Sequence, residues 1–236
     1  MKVGVTGGYG FIGSYLPEDW TKISKDARKI KPRDVKDFDC IVHLAALTSV
    51  DESFISPVRY FDNNVAGTSN VLKCCLKHKV RVIFASSSGI GFSKSFSKAS
   101  PYMQTKIMGE ALCDYYNKAG LSTIILRFHN VYGKGCKGVI YNFLNCSEPY
   151  ITGNGLQGRD FVHVKDVANA IEAATVFGKS CKPYEIGTGV EATILELAYL
   201  MNLQDKVKHV EARPNEIEDA VADTREAKED LQWAPR

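Results

Sequence analysis

Four short apolar runs constrain this chain more than any other feature. KVGVT (2–6), CIVHLA (40–45), RVIFAS (81–86) and TIILRF (123–128) are strand-length stretches of mostly buried-type residues. They read as strands covered on both faces, as the strands of parallel sheets are. Longer stretches of helical period separate them. Residues 57–77 open on Pro57, suited to a helix start. Residues 102–119 are closed by Gly120, suited to a C-cap. The alternation predicts an α/β fold, a doubly wound parallel sheet whose ligands sit at the carboxyl ends of the strands. Beyond about residue 133 the pattern loosens into Gly-rich loops and shorter elements. A helix is expected over 164–177 with Asp166 as N-cap, a short strand over 184–188 and a short helix over 194–201. Residues 134–236 therefore read as a smaller lobe interleaved with the sheet formed by residues 1–133.

The first strand runs into VTGGYGFIGSYLPEDW (5–20). Gly7, Gly10 and Gly13 stand where a strand turns into a helix. The first permits the tight turn, the second lets the backbone approach a phosphate, and the third allows close packing. The amides of Phe11 and Ile12 would face a pyrophosphate at the positive end of that helix. Pro17 allows only a very short or kinked helix, but phosphate binding needs no more than its first turn. For the ribose contact the chain offers Asp26, within a basic stretch of Lys22, Lys25, Arg28, Lys29 and Lys31. The acid favours NAD, and its cationic neighbours leave NADP open.

The bulk properties narrow the partners. A net charge of +3 on 236 residues gives no reason to expect nucleic acid or an anionic membrane. The longest mostly apolar run, 40–47, is too short to span a bilayer. The chain enters its first strand within two residues, and no cleavable signal is visible. Seven cysteines lie mostly in apolar segments without C-x-x-C or zinc-type spacing. They read as core residues of a reduced, cytoplasmic protein with no metal.

The chemistry-bearing residues follow the third apolar run. FASSSGIGF (84–92) puts Ser87 and its neighbours at the carboxyl end of a central strand. PYMQTKIMGE then sets Tyr102 and Lys106 four apart, on one helix face. A phenol ordinarily loses its proton near pH 10. A nearby ammonium and a positive nicotinamide would favour the phenolate, and Ser87 can hydrogen-bond both phenol and substrate hydroxyl. In this order the three residues point to hydride-transfer chemistry with a tyrosine base.

With these motifs the chain resembles the extended short-chain dehydrogenase/reductases, in their nucleotide-sugar epimerase/dehydratase branch. TGGYGFIGS (6–14) is similar to the family's cofactor loop, and HLAA (43–46), with Leu44, Ala45 and Ala46, to its segment beneath the nicotinamide ribose. NNVAGTSNVL (63–72) resembles its central helix motif, with Asn64 the structural, cofactor-side asparagine. RFHNVYG (127–133), GNGLQGRDFVHVKDVANA (153–170), HVEARPNE (209–216), ADT (222–224) and LQWAP (231–235) resemble later blocks. The resemblance implies a Rossmann-type NAD(P)-binding domain and a nucleoside-diphosphate-sugar substrate. Ser87, Tyr102 and Lys106 would be catalytic, and Ser88, Asn130, Arg159 and Arg213 would grip the substrate. Asp160, His163 and Asp166 would organise the lobe. Relatives commonly pair through the helices of residues 57–77 and 102–119, which implies a homodimer.

The resemblance leaves the reaction to be chosen. The 4,6-dehydratase branch carries an Asp-Glu pair after its active threonine, and the decarboxylase branch a glutamate. Here Ser88 and Gly89 stand there, so no carboxylate is at hand to expel water. What remains is 4-epimerisation through a transient keto-sugar. A ketosugar reductase using NADPH would need the same residues, and a dehydratase or a non-catalytic nucleotide-binding sensor stay as alternatives.

Overall fold

The computed structural model describes residues 1–92, 95–213 and 217–236. Pro214, Asn215 and Glu216, the end of the HVEARPNE block, lie outside the described residues. The first five strands are β1 (Val3–Thr6), β2 (Thr21–Ile23), β3 (Cys40–His43), β4 (Arg81–Ser87) and β5 (Thr123–Phe128). They are followed by β6 (Asn130–Tyr132), β7 (Tyr150–Thr152), β8 (Gly158–His163) and β9 (Pro183–Ile186). The last are β10 (Glu191–Thr193), β11 (Lys208–Val210) and β12 (Asp219–Ala220).

The main sheet has the order β2-β1-β3-β4-β5-β9, parallel throughout. β1 and β3 are buried at every position, as their unbroken apolar runs require. A strand from the second half of the chain thus completes the first half's sheet. The strand order reverses between β1 and β3, and the crevice there is where such sheets hold ligands.

Ten helices are described: α1 (Pro32–Val35), α2 (Val50–Ile55), α3 (Pro57–Tyr60), α4 (Gly67–His78) and α5 (Gly89–Phe92), then α6 (Pro101–Lys118), α7 (Val139–Asn145), α8 (Val164–Phe177), α9 (Ile194–Leu200) and α10 (Arg225–Leu231). α4 and α6 cover one sheet face through Val71, Leu72, Cys75 and Cys113, against Ile41, Val82 and Phe84. α8 and α10 cover the other through Val167, Ile171, Ala227 and Leu231, against Val3, Val42, Ile83 and Leu126. Trp233 Nε1 donates to the Asp166 carbonyl at 2.9 Å and fastens the end of the chain under α8.

Three local departures from the sequence reading have physical causes. The helix expected after the glycine loop is one 3-10 turn, Ile12–Tyr15, which gives way to extended backbone at Leu16, as a residue before proline prefers. The single helix expected over 57–77 is interrupted by a π-helical segment, Phe61–Ala66, which contains Asn64. The N-cap of α8 is His163, whose Nδ1 accepts from the Lys165 amide at 3.4 Å, not Asp166, which lies inside the first turn.

The remaining strands form two smaller sheets. β8 is flanked by antiparallel β10 and parallel β12, and β6 also pairs with β8. Asp160, fully buried on β8, accepts hydrogen bonds from the Thr188, Gly189 and Ala222 amides and the Thr188 hydroxyl at 2.7–3.1 Å. It ties the loop after β9 and the segment after β12 to β8.

Candidate active site

The glycine loop leaves β1 at its carboxyl end. Gly7 has φ +71°, and a Cβ there would lie 2.6 Å from the Ala45 amide nitrogen. Any side chain would both strain the backbone and push away the Leu44–Ala45 segment. Gly13 approaches the Gly8 backbone as closely, with a Cβ 2.6 Å from the Gly8 Cα. Gly10 differs, because its Cβ would meet only the Gly7 carbonyl, at 3.2 Å. Its outer side is open to an approaching group. The Ser14 amide donates to the Gly10 carbonyl at 3.0 Å and completes the single turn that carries Phe11, Ile12 and Gly13.

Asp26 caps the 3-10 turn that follows β2, but its carboxylate is already held. It accepts from the Arg28 amide at 2.9 Å, from Nε at 3.0 Å and from Nη2 at 2.5 Å. The guanidinium pulls the Asp26 carboxyl down to about 2. A ribose hydroxyl would have to share this acid with Arg28.

Behind the loop a buried chain of polar groups runs across the sheet. Thr6 Oγ1 and His43 Nδ1 are 2.6 Å apart, His43 Nε2 and Thr68 Oγ1 3.0 Å, and Thr68 donates to the Asn64 carbonyl at 2.5 Å. Burial pushes the His43 imidazole down to about 3, so it stays neutral across the physiological range. The Asn64 amide group takes both backbone polar atoms of Leu47, at 2.8 and 2.9 Å, and donates to Thr105 Oγ1 at 3.0 Å. It thereby locks the Leu44–Leu47 loop to α6. Its polar atoms are spent within the protein, and it acts on the site by holding both sides of it.

Ser87 and Ser88 stand at the end of β4, and Tyr102 and Lys106 lie in the first two turns of α6. Ser100 caps that helix by accepting from the Met103 amide at 3.2 Å, with Pro101 as its first residue. The Tyr102 and Ser87 side chains line one cavity, where the Ser87 hydroxyl favours the Tyr102 phenolate. Burial pushes the phenol up to about 12, with the Ser87 hydroxyl working against it. Among the protein's own groups the Lys106 ammonium does not contribute to lowering it; the expected lowering combined that ammonium with a positive nicotinamide. Lys106 instead donates to the Ala85 carbonyl at 2.7 Å and lies 5.1 Å over the Phe84 ring. Burial pulls the Lys106 ammonium down to about 8. Below it, Glu110 accepts from Ser86 at 2.6 Å and from both arms of Arg127 at 2.9 and 2.7 Å. That half-buried fork fixes α6 against β4 and β5.

A cavity of about 670 Å³ opens in front of these groups, within the size range of small-molecule sites. Ser87, Ser88, Tyr102, Asn130, Arg159 and Arg213 all line it. The structure thus brings the proton-transfer residues and the substrate candidates into one space. A second cavity, about 440 Å³, adjoins it through Ile217, Glu218 and Asp219. Sequence reasoning missed Asp51, whose carboxylate takes Arg213 Nε and Nη2 at 2.8 and 3.2 Å. It also missed Lys98, Met103, Glu218 and Asp219 in the cavity wall. Position in a loop before a helix N-cap was the only available signal for Lys98. No cluster of metal-ligating side chains occurs among the described residues.

This constellation has relatives. Residues 3–187 match the NAD dependent epimerase/dehydratase family. A Methanocaldococcus jannaschii protein, provisionally named a UDP-glucose 4-epimerase, is 31% identical over 284 aligned positions, covering 98% of this chain and 92% of the relative. Among solved structures, MoeE5 is 29% identical with a TM-score of 0.87, covering 100% of this chain and 94% of that one. It has been seen with NAD and either UDP-glucose or UDP-glucuronic acid. The Thermotoga maritima UDP-glucose 4-epimerase with UDP-glucose is 26% identical with a TM-score of 0.85, covering 100% of this chain and 94% of its own.

Proposed function

Because the chain belongs to the NAD dependent epimerase/dehydratase family, we propose that this enzyme is an NAD-dependent nucleoside-diphosphate-sugar 4-epimerase. The observation that carries the reading is that Ser87 and Tyr102 line the wall of one cavity where Ser88 and Gly89 occupy the positions after Ser87. Proton transfer to and from a hydroxyl is provided for, and no carboxylate follows Ser87 to expel water from a neighbouring carbon.

The loop fits the cofactor. The open side of Gly10, the Phe11 and Ile12 backbone, and the packing forced by Gly7 and Gly13 make a surface for a pyrophosphate. Leu44, Ala45 and Ala46 form the neighbouring wall toward the nicotinamide ribose, with Asn64 holding that wall in place. Asp26 would meet the adenosine ribose in competition with Arg28, while Tyr102 and Lys106 complete the nicotinamide side. NAD supplies a hydride acceptor and donor when bound.

The chain's own residues do the rest. Tyr102 Oη removes the proton of the sugar 4-hydroxyl as that carbon is oxidised, and Ser87 steadies the same oxygen. Lys106, cationic below about pH 8, is poised beneath Tyr102 to favour its phenolate once a ligand draws its ammonium from Ala85. Arg159 and Arg213 suit the diphosphate oxygens as guanidinium forks, and Ser88 and Asn130 suit the sugar. Tyr102 then returns the proton after the keto-sugar has turned and been reduced on its other face.

Five buried free thiols, Cys40, Cys74, Cys75, Cys113 and Cys136, support a cytoplasmic setting. A homodimer through α4 and α6 belongs to the same reading, supported by the exposed Tyr115 on α6 and by exposed Ile55 and Val58 on α2 and α3, which pack beside α6. The test is incubation of purified protein with NAD and a panel of UDP-, dTDP- and GDP-hexoses, read by mass spectrometry and NMR. An isomer of unchanged mass supports the reading. A product two mass units heavier that requires NADPH, or loss of water, overturns it.

A further inference from the structure

Among the described residues, the cavity wall carries one cation that the mechanism does not use. Lys98 lines the cavity in the segment 95–100 that leads into α6, beside Ala99, Ser100 and Tyr102. The segment is held at two points. Gln104 Nε2 donates to the Phe96 carbonyl at 3.0 Å, and Ser100 caps α6. Lys98 ends the 3-10 turn Phe96–Lys98, its amide bonded to the Ser95 carbonyl at 3.2 Å. Its backbone is therefore placed.

Among the described residues no carboxylate pairs with the Lys98 ammonium. Both arginines and the Asp219 carboxylate of the wall have partners elsewhere. Arg213 is forked by Asp51, and Arg159 donates to the Gly158 and Glu218 carbonyls. The Asp219 carboxylate accepts the Gly158 amide at 3.1 Å. Both arginines and both carboxylates come from the lobe, whereas Lys98 comes from the connection that delivers Tyr102, only four residues on. Along a substrate whose diphosphate meets the arginines, Lys98 therefore belongs to the reacting end of the sugar.

We propose that the sugar carries a carboxylate, so that the substrate class is a nucleoside-diphosphate uronic acid with Lys98 as the counter-ion of its C6 carboxylate. The inference rests on the 4-epimerase reading, which sets C4 at Tyr102. C6 is borne by C5, the carbon next to C4, so its carboxylate lies on the Tyr102 side of the ring. A neutral hexose would leave Lys98 facing only a hydroxymethyl group. An ammonium at this point discriminates by charge and guides an anionic substrate into the cleft.

The test compares UDP-glucuronate with UDP-glucose on the NAD-loaded protein, by calorimetric dissociation constant and by kcat/KM. Wild type should favour the uronate, Lys98→Ala should shrink that ratio by about fivefold, and Lys98→Arg should keep it. Lys98→Glu should reverse the preference and gives a reading even if the alanine change is small. A wild-type preference for UDP-glucose, or a ratio untouched by Lys98→Glu, overturns the inference. If neither sugar is isomerised, the epimerase reading fails and the binding ratios still decide the charge selectivity.

Discussion

The two ends of the cofactor crevice are built to different standards. At the reacting end, β4, β5 and α6 are long, and they are held together by the half-buried Ser86–Glu110–Arg127 fork and by Asn64. At the adenosine end, β2 has three residues and the turn after the glycine loop only four. The M. jannaschii alignment, at 284 positions against a chain of 236 residues, shows that this relative carries segments the chain lacks. The contrast teaches that the sheet beside a glycine loop can manage with a single turn of helix, provided another element covers it. Here α8 and Trp233 from the second half of the chain help to do so, packing with Leu16 against β1.

The largest effect should come from the reacting end. Tyr102→Phe removes the proton acceptor and should lower kcat by about 10²–10⁴-fold with NAD affinity retained, as read by steady-state kinetics beside a fluorescence titration. A comparable loss of NAD binding would break the separation of the two ends. Ser87→Ala comes next. The Ser87 hydroxyl holds the phenol below where burial alone would put it, so its loss raises that pKa. The rising limb of the pH–rate profile should therefore move to higher pH, with activity at pH 7 falling more than activity at pH 10.

At the loop, Gly7→Ala should act on binding and stability together. A Cβ at φ +71° and 2.6 Å from Ala45 N costs about 1–3 kcal/mol, visible as a lowered Tm and a weaker NAD dissociation constant. Asp26→Asn should be the mildest, weakening NAD by less than about fivefold, because Arg28 already occupies the acid. Its folded carboxyl lies below its ordinary 3.8, at about 2. The stabilisation it brings is therefore present above pH 4 and lost as pH falls toward 2. Denaturation curves of the variant should lack that share of the acid sensitivity.

The same contrast marks what could be read from sequence. β5 and α8 follow their expected bounds, 123–128 and 164–177, because unbroken apolar runs and a strict helical period leave few alternatives. Pro17 announced the short first turn. The π-helical insert at Phe61–Ala66 was invisible, since it is stabilised by contacts to Leu47 and Thr105 that lie far away in the chain. β10 and β12 escaped for the same reason. They are three and two residues long and exist through pairing with β8. In the site, spacing located Tyr102 and Lys106, but only the fold shows that Lys106 points at Ala85. The Asp51–Arg213 fork, joining residues 162 apart, had no sequence signature.

The most direct test of the account is the fate of a label at C4. UDP-glucose or UDP-glucuronate deuterated at that carbon, whichever the protein isomerises, would be run to equilibrium with NAD in ordinary water and the product examined by NMR. The account predicts an inverted C4 that keeps its deuterium, because the hydride leaves and returns without meeting solvent. Inversion with the label washed into water would contradict it and make the reaction a proton abstraction.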